Sequence, residues 1–480
     1  MGSVSRRLMI AGGAAIPFAQ WFGGQAWAQG VSIRRDLSTP GGQADLQKYA
    51  KAVKILTALP ESDPRGWMFQ WYIHAVRGDR TKAAELARVY PAPSPQRQLA
   101  QDSWSTCQAH GPGTVEDYFL PWHRMYVFFI ESIIKKTLND PTFAMPYWRY
   151  TQPAQRALPA AFRQPGSPAL GTLYRPNRNG WTNAGSPIDQ GVVPSPLNTS
   201  SLLQKSYRPA SGDQGFCMGI DFNLHGTVHV QTGNGVGMGS VAWAANDPIF
   251  WMHHSNIDRM WGSWNKNGGC NPSDAGWLSK TFIFPDANGQ KIIAKVGDFK
   301  ALAPLKYTYD LFEPGPKIGV CLNRVFKLAQ LPHIALAERP FPIDPLGPVA
   351  IKLSAPRENV PRANLKLLQT AGAARPRLVI SALQAQIQPE VLFRVEIQAN
   401  EKARPVTVGF LNFFDAVASE HADHADMGQA GDAPSDKFFS FDIGDAVRGL
   451  TSEPIVTLTP VGKGAAGSKP VVGSVRVIQG

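Results

Sequence analysis

The segment DFNLHGTVHVQTGNGVGMGSVAWAANDPIFWMHHSNIDRMWGSW, Asp221–Trp264, holds four of the chain's ten histidines in 44 residues. His225 and His229 are four apart, a spacing that puts both imidazoles on one helical face. A Gly-rich turn and the breaker Asn246-Asp247-Pro248 follow, and His253 and His254 ride on a second helical pattern. Two helices presenting three imidazoles to one point, with one of His253 and His254 as the third, would form a metal half-site.

A matching half lies upstream. Trp67–Val76, WMFQWYIHAV, is apolar on most sides and ends near His74, so it reads as a buried helix. A breaker-rich loop carries Cys107 and His110. His123 then sits on the first turn of a long apolar helix, MYVFFIESIIKKTL, that runs to about Asn139. On that helix Glu131 is available to orient another group or to pair with a cation such as Arg124. A lone buried histidine is more often a hydrogen-bonded core residue than a ligand. Two sets of three, His74/His110/His123 and His225/His229 with one of the pair, carry more weight. Helices bearing them would form a four-helix bundle with the site in its core. All-imidazole donor sets suit Zn, Cu, Fe or Ni and argue against Mg and Ca.

Outside these segments the chain divides by pattern. Residues 150–215 and 265–310 read as long loops, and Pro314-Gly315-Pro316 as a linker. From about Arg324 short Val/Ile/Leu/Phe-rich runs recur with turn signals between them: Phe326–Ala329, Val349–Leu353, Arg377–Gln386, Val391–Gln398, Pro405–Phe410, Lys437–Phe441, Pro454–Leu458 and Val471–Val477. Such spacing predicts an all-β sandwich or barrel. His421 and His424 fall in a polar loop between two of them. The fold class expected is therefore α+β and multi-domain: a mainly α four-helix-bundle domain at 29–312, a linker at 313–325 and a β domain at 326–480.

At the N-terminus Ser5-Arg6-Arg7-Leu8-Met9-Ile10 precedes a weakly apolar run, and Ala26-Trp27-Ala28 closes it as a cleavage site. Residues 1–28 thus resemble a twin-arginine export signal, with mature protein from about Gln29 exported to the periplasm or secreted. No other apolar run reaches membrane-spanning length. The net charge of +12 comes from scattered basic residues. It favours solubility over nucleic-acid binding, for which no basic block interleaved with aromatics exists. Four cysteines, Cys107, Cys217, Cys270 and Cys321, form no C-x-x-C pair, leaving one or two disulfides possible.

Together these residues resemble the type 3 copper proteins, specifically tyrosinase and polyphenol oxidase. The resemblance rests on YFLPWHRMYVFFIE (Tyr118–Glu131), on His225-Gly226-Thr227-Val228-His229, on DPIFWMHHSNIDRMW (Asp247–Trp261), and on Tyr307-Thr308-Tyr309. VGFLNFF and the run DIGDAVRGL…VTLTP are similar to the C-terminal domain of long polyphenol oxidases. The resemblance implies two copper ions, held by His74, His110 and His123 and by His225, His229 and His254, with His253 packing nearby. It implies O2 as co-substrate and small phenols as substrates, ortho-hydroxylated to catechols or oxidised to o-quinones. It further implies a C-terminal domain that keeps the enzyme latent until displaced, with a processing protease as possible partner. In the family the Tyr-x-Tyr motif packs against an N-terminal arginine, here Arg34 or Arg35, and the aspartate matching Asp258.

Four positions bear on substrate. Asp221 matches a family carboxylate that orders a water able to deprotonate phenol, or else caps the His225 helix. Gly226 stands where strong monophenolases often carry Asn. Val230 would line the site, and Val241 aligns with a gate over the second copper, or packs in the core. Cys107, three before His110, either forms a thioether with it or stays a buried thiol. The alternatives are an o-aminophenol oxidase, a catechol oxidase without monophenolase activity, a reversible O2 carrier like hemocyanin, and a zinc hydrolase. For the last, Asp221 is the only nearby carboxylate.

Overall fold

The computed structural model describes residues 30–108, 118–319, 331–356, 375–417, 438–444, 446 and 453–479. The first domain is built on helices. Thr39 caps α1 (Pro40–Ala58), accepting from the Gly42 N–H with Pro40 in the first turn, where a missing N–H costs nothing. α2 (Trp67–His74) is buried on nearly every side. The sequence reading placed no helix at α3 (Lys82–Val89) or α4 (Pro95–Ser103), although Thr81 and Ser94 cap both. Both are short and bury few residues, Glu85 and Leu86 in one and Leu99, Ala100 and Ser103 in the other, so they make a weak signal. α5 (Phe119–Leu138) is buried from Phe119 through Ile134 and stops at left-handed Asn139. The helix Ile249–Lys266 is buried through Trp264 and packs on α5.

Two expectations for the loops need correcting. Residues 265–310 contain a hairpin, β2 (Thr281–Pro285) with β3 (Lys291–Lys295), that the loop reading missed. The linker also starts later than 313. Glu313 is buried against Arg149 and Arg259, and the Ile318 N–H donates to the Asn267 carbonyl. Segment 313–318 is therefore pinned to the first domain.

Strand β1 (Ser32–Arg34) pairs in parallel with β4 (Tyr307–Tyr309), joining the two ends of the first domain. Arg34, rather than Arg35, is the arginine of the buried cluster. Its Nε donates to Glu131 at 2.9 Å and its guanidinium to Asp258 at 3.2 Å and to the Tyr309 hydroxyl at 3.0 Å. It also lies over the Tyr307 ring, 3.9 Å from the centroid. Asp258 accepts from both tyrosine hydroxyls and from Arg124. The expected Glu131–Arg124 pair is thus replaced: Glu131 takes Arg34 and Lys135, and Arg124 takes Asp258. Arg35 pairs with Asp45 instead.

The C-terminal domain is a two-sheet sandwich. Strands β5 (His333–Ala337), β6 (Phe341–Pro342), β7 (Val349–Lys352), β8 (Pro376–Gln384), β9 (Phe393–Gln398), β10 (Val406–Leu411), β11 (Phe438–Asp442), β12 (Ile455–Pro460) and β13 (Val471–Gln479) form it. One sheet runs β10-β9-β12-β7 and the other β11-β8-β13-β5, with β6 on β13. Ile380, Val395, Ile397, Val456, Leu458, Val475 and Val477 fill the space between, as alternation on facing strands requires. β5 was not expected, and the expected strand Phe326–Ala329 lies outside the described residues, as do His421 and His424.

The sandwich also packs on the first domain. Met218 and Phe222 belong to its apolar core, and Phe222 meets Phe439. Around this patch Arg377 pairs with Asp213 at 2.7 Å, Gln214 donates to the Phe438 carbonyl, and Ser440 to that of Gly212.

Candidate metal centre

Five of the six expected ligands come together in the core of the first domain; His110 and residues 1–28 lie outside the described residues. His74 ends α2, His123 sits on the first turn of α5, and His253 and His254 lie on the Ile249–Lys266 helix. His225 closes a wide π-helical turn, Ile220–His225, and His229 follows on the helix Gly226–Thr232. Such turns are rare and recur at functional sites. All these histidines are 3 % exposed or less.

The imidazoles are held in one orientation. Nδ1 of His74 donates to the Val241 carbonyl at 3.0 Å, that of His123 to the Phe119 carbonyl at 2.8 Å, and that of His229 to the Met238 carbonyl at 2.8 Å. A carbonyl only accepts, so each Nδ1 carries the proton and each Nε2 presents a lone pair. Nδ1 of His225 faces the Asp221 carboxylate at 2.9 Å. Asp221 is therefore neither the helix cap nor remote from the ligands: it lies inside the π turn and orients one of them. Burial, then the neighbouring imidazoles, push His123, His229, His253 and His254 well below the ordinary histidine range. These four rings are held neutral, as metal ligation requires.

Four imidazoles rather than three converge on the second half-site. Donor atoms of His225, His229, His253 and His254 lie within 4.8 Å of one another, and those of His74, Cys107 and His123 form a second such group. Nε2 of His225, His229, His253 and His254 has no protein partner. An unpartnered buried lone pair is costly, and several aimed at one point fit a soft or borderline cation such as copper. His253 has Nδ1 engaged by the Tyr150 hydroxyl at 2.9 Å, whereas neither nitrogen of His254 has a protein partner. Packing orients His254: it stacks on His123 with centroids 4.3 Å apart and meets Phe250 at 4.2 Å. It is the ring that joins the two groups.

Other predicted positions fall as follows. Val241 is buried and its carbonyl takes the His74 Nδ1–H, which ties it to the first group of ligands rather than to the second alone. Val230 is buried and its carbonyl accepts from Asn179. Gly226 is buried directly against the β domain. Cys107 is an unbridged thiol, its Sγ 3.6 Å from Nε2 of His123. Cys217 is also unbridged, while Cys270 is in a disulfide.

The sequence reading missed the aromatic side chains that complete the site. Phe119 packs on His123 and His225 at 4.6 and 4.7 Å. Phe414, from the loop after β10, stacks on His229 with centroids 4.0 Å apart and planes 16° apart, and stands edge-on to His225 at 5.4 Å. VGFLNFF contains several aromatic candidates and no spacing that singles out Phe414.

Buried imidazoles on a helical core, with nitrogens turned inward, form a site that could hold a metal, with a β sandwich appended. The common central domain of tyrosinase matches residues 64–209 and 195–267, the region that carries these histidines. It is 30% identical over 331 residues to the chloroplastic polyphenol oxidase of Malus domestica, covering 62% of this chain and 52% of that protein. It is also 30% identical to a tyrosinase of Hahella sp., covering 55% and 60% respectively. The chain thus spans about half the length of the curated relatives it matches. The fold is shared with latent apple tyrosinase at 22% identity and TM-score 0.57, covering 93% of this chain and 97% of that one. A latent aurone synthase, itself a polyphenol oxidase, gives 20% identity and TM-score 0.60, with 94% and 89% covered. Among the described residues no helix is long and apolar enough to cross a membrane.

Proposed function

We propose that this chain is a dicopper phenol oxidase that uses O2 to ortho-hydroxylate monophenols, to oxidise o-diphenols to o-quinones, or both. The observation that carries the reading is the set of buried Nε2 atoms of His225, His229 and His254 that meet no protein partner. In this reading His225, His229 and His254 hold one copper, and His74, His123 and His110 the other. Copper bound there supplies the redox couple that links reduction of O2 to oxidation of the phenol. The chain itself fixes the rings. Three backbone carbonyls hold Nδ1–H groups, and the Asp221 carboxylate fixes the orientation of the His225 ring.

Substrate choice is assigned to Asp221, Gly226, Val230 and Val241. A glycine at 226 offers no side chain to hold a water beside the ligands, which favours oxidation of a catechol or an o-aminophenol over hydroxylation of a monophenol. An O2 carrier like hemocyanin is the alternative from another class. Latency is part of the proposal. Phe414 lies flat on His229, where an incoming aromatic ring would need to sit, so the β domain must move or be cleaved before phenols enter. Residues 1–28 would direct export by the twin-arginine route, and a processing protease would release the cover.

The test is oxygen uptake by the copper-loaded chain, opened by limited proteolysis between the domains, with tyrosine, catechol and o-aminophenol side by side. Uptake with catechol or o-aminophenol is expected, and uptake with tyrosine measures the hydroxylase share. No uptake with any of the three, at two coppers per chain, would overturn the reading.

A further inference from the structure

Gly226 follows a ligand directly, yet its backbone does not call for glycine. Its φ of −60° and ψ of −34° are those of an ordinary right-handed helix. At such a position glycine is about 1 kcal/mol worse than alanine. The reason for glycine must then lie in the space around it. A Cβ built on Gly226 would fall 2.6 Å from Oδ1, 2.9 Å from Nδ2 and 3.0 Å from Cγ of Asn412, a residue of the β domain.

Asn412 has little freedom to retreat. It is 1 % exposed. Its Nδ2 donates to the Phe222 carbonyl at 2.7 Å, across the domain boundary, and its Oδ1 accepts from the Phe414 N–H at 3.2 Å. One short side chain thus touches the turn that carries His225 and also holds the backbone of the residue that covers His229. Gln388 donates to the Phe414 carbonyl at 2.7 Å, and Glu390 accepts from the Gly235 N–H at 2.8 Å. The 412–414 loop is therefore fastened from both sides.

We infer that Gly226 is the seat of Asn412, and that this fit positions Phe414 over the second half-site. Asn412 is a positioning residue acting through Phe414. Position 226 then governs closure of the β domain as well as the space beside the phenol. A side chain there, such as the asparagine expected in a strong monophenolase, is incompatible with the closed loop. The inference rests on the proposed latency only in taking Phe414 as the obstacle to phenols; the seat itself is a matter of packing.

The experiment is hydrogen exchange, followed by mass spectrometry on the segment around Phe414 in the full chain. It compares wild type, Gly226→Ala, Asn412→Ala and the double variant. Gly226→Ala is expected to speed exchange at the Phe414 amide by about tenfold or more, the factor set by ~1.4 kcal/mol, the order of one lost buried hydrogen bond. Asn412→Ala should do the same. In the Asn412→Ala background, Gly226→Ala should add less than about twofold, since the two changes act through one contact. Asn412→Gln approaches the same clash from the β side without touching the helix, and should also speed exchange.

Exchange unchanged in Gly226→Ala and in Asn412→Gln would overturn the seat. So would a Gly226→Ala effect that persists undiminished in the Asn412→Ala background, or one that extends to the amides of α5. If exchange responds as expected but catechol oxidation by the same variants stays at the wild-type rate, the seat stands and the latency reading falls.

Discussion

Replacing Phe414 by alanine is the most direct perturbation of the covered state. The ring is 3 % exposed and lies flat on His229, 4.0 Å away. Burying a phenylalanine side chain contributes about 1.5–3 kcal/mol, and a well-stacked pair of rings about 0.5–1.5 kcal/mol more. Their sum, about 2–4.5 kcal/mol, corresponds to a change of roughly 30-fold to 2,000-fold in the ratio of open to closed loop. Truncation also empties the place where an incoming ring would sit. The expected result is therefore a rise in kcat/KM for catechol of at least ~30-fold in the intact, copper-loaded chain. The assay is the initial rate of quinone formation, with copper per chain measured in parallel. The same two proteins nicked between the domains should run at nearly equal rates, since the cover is then gone from both. A rise of less than about threefold in the intact chain, with copper content unchanged, would show that Phe414 is not the obstacle, because even the lower end of the range exceeds it.

Two further predictions concern the ligands and the cluster behind them. His254→Ala should lose about one copper per chain, whereas His253→Ala should keep both, because His254 is the ring stacked on His123 between the two groups. Metal analysis after dialysis decides, and the reverse pattern would move the ligand to His253. Burial alone would raise the Glu131 carboxyl, but Arg34 and then Lys135 outweigh it and hold it at about 2 against an ordinary 4.5. A depressed carboxylate stabilises the fold above its unfolded pKa and loses that contribution as pH falls through the folded one. Glu131→Gln should therefore destabilise by about 3 kcal/mol near neutrality, the size set by that downward shift, with Arg34 left to Asp258 and the two tyrosines. In denaturant titrations the gap from wild type should stay constant down to pH ~4.5 and close toward pH ~2. A gap that narrows between pH ~7 and ~5 would refute the assignment.

The histidine cluster was legible because metal chemistry leaves a dense signal. Few residue types can serve, and helical spacing makes His225 and His229 neighbours before any fold is known. The sandwich was legible for a similar reason, since period-two apolar runs between turn residues admit few other readings. What escaped notice depends on contacts between segments far apart in the chain. Asp221 could be a cap or a partner of its histidine, and only the π turn, which no apolar pattern encodes, decides. Arg34 and Arg35 are adjacent and chemically alike. Pairing of β1 with β4 turns one inward to Asp258 and the other out to Asp45. Helices α3 and α4 are capped but only eight and nine residues long, too short to stand out by pattern.

The two groups of imidazoles are supported in different ways, and that difference bears on how such a site can be both rigid and covered. Arg124, next to His123 on α5, pairs with Asp258, one helical turn after His254. The helices that carry these ligands are thereby fastened together inside the first domain, and Arg34 adds Glu131 and the closing strand to the same cluster. Buried charges hold position well only when every partner is present; here the partners come from β1, α5, the Ile249–Lys266 helix and β4, all within one domain. The second group is different on its outer side. His225 and His229 meet Phe414, and the glycine between them meets Asn412. Those contacts cross a domain boundary and consist of one stacked ring, one packed amide and a few hydrogen bonds, none of them among the buried ion pairs. Removing them should cost the closed state stability without disturbing the spacing of the ligands. Under the proposed latency, the β domain would leave while the imidazoles stay where they are.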